Sequence, residues 1–307
     1  MRAELAMTRP TTTLARAGAE DPTVPQAGRA PILGRILEVT YTVPDLAAIE
    51  AAYTHWLGYR IVERGLVTEA LARDWDAPAL AGRAQLALEP AAGESVLLRF
   101  VAEPLAAGWQ ALRTFGWNVS EIVVEDVDAL AGRLAGSPFR IIGDPASLTR
   151  FPMIRAMQAL GPAGECLYFT QVGAGSGLDL ARAQAPVGRV FIVVAGGPDV
   201  QRMFDAYTPF ANEIDPPVST RVQVISRAHD LPGDTLHAHG LVKLGHGSLI
   251  ELDEYPAAAT SRPVPPGGLP PGMAVVAFEV RGRVGSALLR GAAGERIRLV
   301  GTNGGEH

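Results

Sequence analysis

The residues best suited to chemistry lie in one segment, LHAHGLVKLGHGSLIELDEY, which spans 236–255. Its even-numbered positions include apolar side chains, at Val242, Leu244, Ile250 and Leu252. Its odd-numbered positions include polar side chains, at His237, His239, Lys243, Glu251 and Asp253. Because side chains alternate between the two faces of a strand, the segment predicts a hairpin with one buried and one polar face. A turn at 245–247 places His239 opposite Asp253 and puts Glu251 one diagonal away.

Imidazole and carboxylate groups on one face of a sheet can bind a divalent metal ion. We therefore treat His237, His239 and Glu251 as candidate ligands for Fe, Mn, Zn or Ni, with open coordination positions. The spacing of the two histidines argues against this site, since residues i and i+2 of a strand lie about 6–7 Å apart. The alternative is a solvated or ion-paired sheet face with a cross-strand contact between His239 and Asp253.

The elements that must position these residues form a repeat. Residues 37–43 alternate like a half-buried strand, Asp45 lies at a helix N-cap position, and Gly58 ends the following helix. Further strands are predicted at 59–64, 83–89 and 95–102, which completes a β-α-β-β-β unit.

The same order of strands and helix is predicted for a second and a third unit, and a fourth unit begins after them. Asp126 and Asp199 are predicted to cap the helices of the second and third units. The strands that complete these units are predicted near 150–159, 165–171, 220–226, 236–244 and 248–254. Strand 273–280 opens a fourth unit, but the remaining residues suffice only for one or two short strands. The sequence therefore predicts a truncated unit that lacks the crossover helix and the strand after it.

Four tandem units of this kind resemble the vicinal oxygen chelate superfamily, which contains glyoxalase I, extradiol dioxygenases and bleomycin or fosfomycin resistance proteins. The likeness covers roughly 35–300 and rests on VTYTVPDLAAIEAAYTHWLGYRIV, IVVEDVDAL, GPAGECLYF and GHGSLIEL. It implies an α+β fold in which tandem β-α-β-β-β units form cupped mixed sheets. One scaffold of this kind hosts many chemistries, so the function has to be argued from the site.

Members of this family usually take metal ligands from the first and last strands of each unit. The matching positions in the first two units are Glu38, Arg99, Val119 and Tyr168, which cannot assemble an ordinary divalent-metal site. The resemblance therefore implies an N-terminal cup without a metal. In that cup Glu38 is a base or ion-pair partner, Arg99 clamps an anion and Tyr168 donates a proton; the alternative is a structural salt bridge. In the second pair of units, Glu251 alone is a ligand-type residue at a family position.

Other residues are candidates for contacting a substrate in the same cup. Thr40, Thr42 and Glu121 share the inward-facing parity of the candidate catalytic residues. Trp75 lies in the non-repeating insertion 68–82, and long insertions often carry function. We expect these four residues to bind the substrate, with Trp75 in the pocket wall or a lid.

The composition bounds the remaining possibilities. The chain has 307 residues, of which 48% are hydrophobic and 19% charged, and this is enough to bury a sizeable core. A net charge of −5 disfavours nucleic acid as the main partner, and a single cysteine excludes a disulfide framework. Because no apolar run reaches the ~18 residues of a membrane span and no apolar signal segment opens the chain, we expect a cytoplasmic protein.

These observations predict the domain organisation and a set of functions. We expect a disordered arm at 1–34 and a first pair of units at 35–172. A linker at 173–187 leads to a second pair of units at 188–302. The leading hypothesis is an isomerase or lyase that acts on an aromatic or carbonyl-bearing small molecule, with no metal in the N-terminal cup. The alternatives are a non-catalytic, resistance-type binding protein, or a metal-dependent glyoxalase or dioxygenase that uses the C-terminal half. A homodimer that completes the last sheet fits the shortened fourth unit.

Overall fold

The computed structural model describes residues 32–211, 213–281 and 285–302, and its first unit follows the predicted order. Asp45 caps helix α1 (Leu46–Ala52) by accepting hydrogen bonds from two backbone N–H groups of the first turn. A π-helical turn (Tyr53–Leu57) continues the helix and ends at Gly58, whose φ of +73° favours glycine. The remaining elements of this unit are β1 (Leu33–Val43), β2 (Arg60–Leu66), α2 (Glu69–Asp74), β3 (Ala84–Glu89) and β4 (Leu97–Ala102).

The second unit begins with the predicted strand, cap and helix. The Asp126 carboxylate accepts the backbone N–H of Ala129 and caps the helix. The elements of this unit are β5 (Gly116–Val124), α3 (Val127–Leu134), β6 (Arg140–Ser147), β7 (Ile154–Leu160) and β8 (Cys166–Val172). The sequence pattern misses β6, because Gly143 and Pro145 are residues that rarely occur inside strands.

The third unit repeats the order, with Asp199 as the helix cap. Its elements are β9 (Val187–Gly197), α4 (Val200–Tyr207), β10 (Glu213–Arg221), α5 (Gln223–Ala228), β11 (Leu236–Lys243) and β12 (Leu249–Glu254). The strand predicted at 220–226 is wrong, because β10 ends at Arg221 and the short helix α5 follows. This helix buries the adjacent residues Val224 and Ile225, which a half-buried strand would place on opposite faces.

The fourth unit consists of β13 (Gly272–Arg281), β14 (Ser286–Arg290) and β15 (Arg296–Thr302). Within its described residues it has no helix and one strand fewer than the other units, as predicted. Among the helices that the structure describes, none combines the length and the apolar character needed to cross a membrane.

The strands form two mixed sheets, which confirms the predicted α+β fold. The seven-stranded sheet has the order β14-β15-β13-β1-β4-β3-β2 and joins the first unit to the fourth. The eight-stranded sheet has the order β10-β11-β12-β9-β5-β8-β7-β6 and joins the second unit to the third. The sheets therefore do not follow the expected pairs 35–172 and 188–302, since β1 pairs with β13 and β5 with β9. Residues 1–31 of the expected arm lie outside the described residues.

An apolar core fills the space between the two sheets. Tyr41 and Phe100 of the seven-stranded sheet stack there with 5.3 Å between ring centroids, and Phe169 belongs to the same cluster from the other sheet. The Tyr41 hydroxyl donates to Ser120 on β5 and ties the sheets together. Burying each large apolar side chain contributes roughly 1.5–3 kcal/mol to stability. Because the core uses one face of each sheet, each sheet has a second, outer face.

Two tyrosine–glutamate hydrogen bonds occur at equivalent places in the repeat. Tyr53 donates to Glu165 Oε1 at 2.9 Å, and Tyr207 donates to Glu295 Oε1 at 3.0 Å. Each glutamate ends a Gly-x-Ala-Gly-Glu turn and also accepts the backbone N–H of the alanine two residues earlier. The first bond joins the first unit to the second, and the other joins the third unit to the fourth.

Candidate metal centre

A histidine and two carboxylates meet on the outer face of the eight-stranded sheet. His239 on β11 lies directly opposite Asp253 on β12, and Glu251 faces the same side two residues earlier. The ligand atoms of these three residues, which we call the ligand cluster, all lie within 4.8 Å of one another. The predicted register of the hairpin is confirmed.

The unpaired polar atoms of the ligand cluster fit a divalent metal ion. Asp253 is 1% exposed, and neither its Oδ1 nor His239 Nδ1 has a hydrogen-bond partner in the described part of the chain. Buried polar atoms are normally paired, so two unpaired ones side by side are typical of a ligand site. Two atoms bound to one metal ion at about 2.0–2.2 Å lie at most about 4.4 Å apart. The distance of 4.0 Å between His239 Nδ1 and Glu251 Oε1 meets this limit, and the donors suit Fe, Mn, Zn or Ni.

Burial favours the protonated form of the carboxyl groups in this region. It raises the pKa of Glu251 well above the usual value, and the charge of Asp253 raises it further. Burial also raises the pKa of Asp253, and it raises that of Glu121 on β5 to about 8. The pKa of His239 is lowered by burial and by the charge of Arg150, so its imidazole is neutral at pH 7 and able to coordinate a metal.

Glu121 and two tyrosines complete the polar lining around the cluster. Glu121 lies opposite Tyr168 in the pairing of β5 with β8, and it accepts a hydrogen bond from the Thr170 hydroxyl. The hydroxyls of Tyr168 and Tyr255 are buried and have no hydrogen-bond partner among the described residues. Burial raises the pKa of both phenols, which therefore remain protonated and can act as donors.

The eight-stranded sheet curls around this lining. Helix α5 follows one end strand, β10, and reaches the other end strand, β6, where the Arg227 guanidinium donates to the carbonyl oxygen of Ile142 at 2.8 Å. We call the enclosed outer face the bowl. His237 is buried beside this helix with its Nε2 2.9 Å from Ser226 Oγ, so it does not join His239 as a metal ligand.

The residues predicted to form a catalytic site in the first cup do not all come together. Glu38 and Arg99 lie on the outer face of the seven-stranded sheet, joined by an ion pair of 3.0 Å, whereas Tyr168 lies in the bowl. Arg99 also donates to Gln85 at 2.9 Å and to Glu63 at 3.0 Å. Although burial disfavours its charge, Glu38 and Glu63 raise the pKa of Arg99, which is a permanent cation here.

The residues predicted to contact a substrate separate in the same way, with Glu121 in the bowl and the others on the seven-stranded sheet. Thr40 donates to Glu38 at 3.2 Å, and Thr42 donates to the carbonyl oxygen of Pro270 at 3.0 Å. Trp75 is 0% exposed and belongs to an apolar cluster. It is therefore a core residue rather than a lid or a wall of the bowl.

The insertion that carries Trp75 covers the outer face of the seven-stranded sheet. Arg296 on β15 donates to the carbonyl oxygen of Trp75 at 2.8 Å, and Arg298 donates to Asp74 at 2.8 Å. Leu80 is buried in the same cluster as Trp75 and Val275 of β13. This outer face is therefore packed against the chain itself around Trp75, where the buried Nε1 of Trp75 and Nε of Arg298 have no hydrogen-bond partner among the described residues.

Sequence reasoning placed Asp253 opposite His239 but left it out of the candidate ligands, and it did not name Tyr255 as a candidate site residue. Both residues are odd-numbered, like Glu251, and alternate residues of a strand lie on the same face. The alternation of the hairpin therefore predicts that Asp253 and Tyr255 lie on the same face as Glu251. The resemblance to the family pointed to Glu251 alone, because it uses one position on each closing strand.

Comparison with known proteins identifies the fold class. No protein-family model and no curated protein matches the chain. Among solved structures the chain is similar to glyoxalase I from Zea mays, at 14% identity, a TM-score of 0.54, and coverage of 87% of this chain and 92% of that chain. It is also similar to a candidate dioxygenase from Bacillus subtilis, at 14% identity, a TM-score of 0.54, and coverage of 89% and 86%. The chain has the fold of the vicinal oxygen chelate superfamily, as the sequence resemblance predicts.

Proposed function

We propose that the chain is an enzyme of the vicinal oxygen chelate type that binds a divalent metal ion at the ligand cluster and acts on a small organic molecule in the bowl. The proposal rests on the meeting of His239, Glu251 and Asp253, with two of their polar atoms buried and unpaired. The seven-stranded sheet has a structural role in this proposal, because Arg99 already supplies the cation beside Glu38.

The reaction class that fits the bowl is an isomerisation or elimination that begins with removal of a proton next to a carbonyl group. A divalent ion held by His239, Glu251 and Asp253 would supply a Lewis acid for the carbonyl oxygen. Glu121 lies near the cluster without belonging to it, and Thr170 holds its carboxyl group in place. Its pKa of about 8 lies close to neutral pH, where a general base works best. Glu121 takes the proton from the substrate carbon and returns it to a neighbouring carbon or to the leaving group.

Elemental analysis of the purified chain tests the metal centre. We expect Fe, Mn, Zn or Ni at a constant ratio to protein, and a loss of at least about tenfold in metal affinity in Asp253→Asn and His239→Ala. His55→Ala is the matched control, because His55 is an exposed histidine in contact with Trp56. A wild-type chain that takes up none of the four ions would reject the metal centre.

Proton exchange tests the reaction class. We expect the metal-loaded chain to exchange carbon-bound hydrogen for deuterium in at least one member of a panel of hydroxy-ketones, hydroxy-aldehydes and keto acids in D2O. Glu121→Gln should lower this exchange by about 10²–10⁴-fold while metal content is retained. Oxygen uptake without exchange would identify a dioxygenase instead, and binding without turnover would identify a resistance-type binding protein.

A further inference from the structure

Two tyrosines of the bowl have hydroxyl groups that form no hydrogen bond with the described part of the chain. The sequence contains six tyrosines, and the structure describes all of them. Four of them donate hydrogen bonds: Tyr41 to Ser120, Tyr53 to Glu165, Tyr59 to Gly188 and Tyr207 to Glu295. Tyr168 and Tyr255 are only 8% and 3% exposed, yet their hydroxyls have no partner among the described residues. The two tyrosine hydroxyls that have no partner therefore both lie in the bowl.

The Tyr168 side chain extends into the bowl because side chains alternate between the two faces of β8. Leu167 and Phe169 on either side of Tyr168 enter the core between the sheets, so the Tyr168 side chain extends from the outer face. Its partner in the pairing of β8 with β5 is Glu121. Tyr168 therefore lies on the floor of the bowl beside Glu121, two strands away from β9.

The second tyrosine lies against the backbone beside the ligand cluster. The Tyr255 ring rests on β9 at Gly196, where any Cβ would overlap it. Gly196 is directly opposite Asp253 in the pairing of β9 with β12. Burial raises the pKa of both Tyr168 and Tyr255, and the charges of Glu251 and Asp253 raise both further.

Nearby hydroxyl groups are already engaged. The Thr170 hydroxyl donates to Glu121, and the Ser226 hydroxyl is paired with His237. The carboxylates of the bowl are acceptors when ionised, so they can satisfy the donors of a ligand but not its acceptors. An acceptor atom of a ligand finds free donors in the two tyrosines.

We infer that Tyr168 and Tyr255 donate hydrogen bonds to the oxygen atoms of an organic oxyanion, such as an enolate, a phenolate or a carboxylate, and so determine which molecules the bowl accepts. The inference rests on the proposed function, because the carboxyl groups of the bowl can themselves donate to an acceptor while they are protonated, whereas a divalent ion bound at the ligand cluster favours their ionised, acceptor-only form. Hydrogen bonds to an ionised acceptor are stronger than those between neutral groups. An amine leaves both buried donors unpaired, which disfavours it in this bowl.

Titration with 4-nitrocatechol tests the inference, because this coloured phenolate reports both binding and ionisation. The Zn²⁺-loaded wild-type chain is compared with Tyr168→Phe and Tyr255→Phe, and Zn²⁺ affinity is measured separately. We expect each substitution to weaken nitrocatechol binding by about tenfold and to raise the pKa of the bound probe, with Zn²⁺ affinity unchanged. Gly196→Ala should act like Tyr255→Phe, because a methyl group at residue 196 displaces the ring.

Tyr59→Phe is the matched control, because it removes a buried hydroxyl that bonds to Gly188 in the core. It should leave nitrocatechol affinity unchanged. Unchanged nitrocatechol affinity and ionisation in both Tyr168→Phe and Tyr255→Phe, with Zn²⁺ bound, would overturn the inference and leave the proposed function intact. A wild-type chain that binds no Zn²⁺, Fe, Mn or Ni would overturn both.

Discussion

Arg99 holds in the seven-stranded sheet the position that Glu251 holds in the eight-stranded sheet. Each lies on the last strand of its unit, where Arg99 is opposite Ala87 and Glu251 is opposite Leu241. The next cross-strand pairs are equivalent as well: Gln85 with Val101, and His239 with Asp253. One outer face therefore has a fixed guanidinium where the other has a carboxylate. The two faces therefore share a strand register, but the side chains at the equivalent positions carry groups of opposite charge type.

Removal of the guanidinium tests the structural role of the first outer face. Arg99→Met leaves Glu38, whose side chain is 9% exposed, buried without its cation, so we expect a loss of about 3–5 kcal/mol in the free energy of unfolding. Urea denaturation measures this loss. Adding Glu38→Gln to Arg99→Met should recover part of it. Metal content and turnover of the folded variant should not change, and lost turnover at full stability would contradict the assignment.

The pH dependence of stability tests the buried carboxyl groups. Folding raises the pKa of Glu121 from 4.5 to about 8, and it raises those of Asp253 and Glu251 as well. A raised carboxyl pKa means that the folded state binds the proton more tightly. The stabilisation is therefore complete below pH 4.5 and is lost as the pH rises through about 8. We expect the melting temperature of the metal-free chain to fall over this range.

Metal removal provides the control for this pH profile. A bound divalent ion favours the ionised carboxylates, so saturating Zn²⁺ should flatten the fall or reverse it. Glu121→Gln should reduce the slope of the metal-free profile. A metal-free melting temperature that rises between about pH 5 and 8 would contradict the raised pKa values.

The packing of the insertion gives a separate stability prediction. Trp75→Ala removes a fully buried indole from the cover of the seven-stranded sheet, and we expect a loss of about 3–5 kcal/mol in unfolding free energy. Trp56→Ala is the control, since Trp56 is only partly buried and should cost less. Both variants should keep the metal affinity of the wild-type chain. Weakened metal binding by folded Trp75→Ala would show that the insertion takes part in the site.

The tyrosine–glutamate bonds predict a measurable shift in a carboxyl pKa. Burial raises the pKa of Glu165 to about 7, and the hydrogen bond from Tyr53 lowers it from a still higher value. Tyr53→Phe should therefore raise the pKa of Glu165, as followed by NMR, and destabilise the fold by about 1–3 kcal/mol above that pKa. Tyr207→Phe should act in the same way on Glu295. An unchanged Glu165 titration in Tyr53→Phe would contradict this account.

Sequence patterns over a few neighbouring residues correctly predicted the helix starts and the register of the hairpin, which depend on interactions between nearby residues. Aspartate caps located three helices, and the parity of 236–255 placed His239 opposite Asp253. The choice of sheet partner was not predictable from local pattern, because β13 and β9 lie outside the units that contain β1 and β5. The burial of Trp75 was missed for a similar reason, since its neighbours come from β13 and the segment before it.

The two tyrosine–glutamate bonds show which contacts lie within each half of the chain and which run between the halves. Each bond lies within one half of the chain, 33–172 or 187–302, whereas the central strand pairs β1–β13 and β5–β9 run between the halves. A separated half would expose two unpaired strand edges and would find their complements only on the other half. The two halves, joined by 173–186, thus each supply one strand to both central pairs, and a half on its own would lack the partners that complete the two sheets.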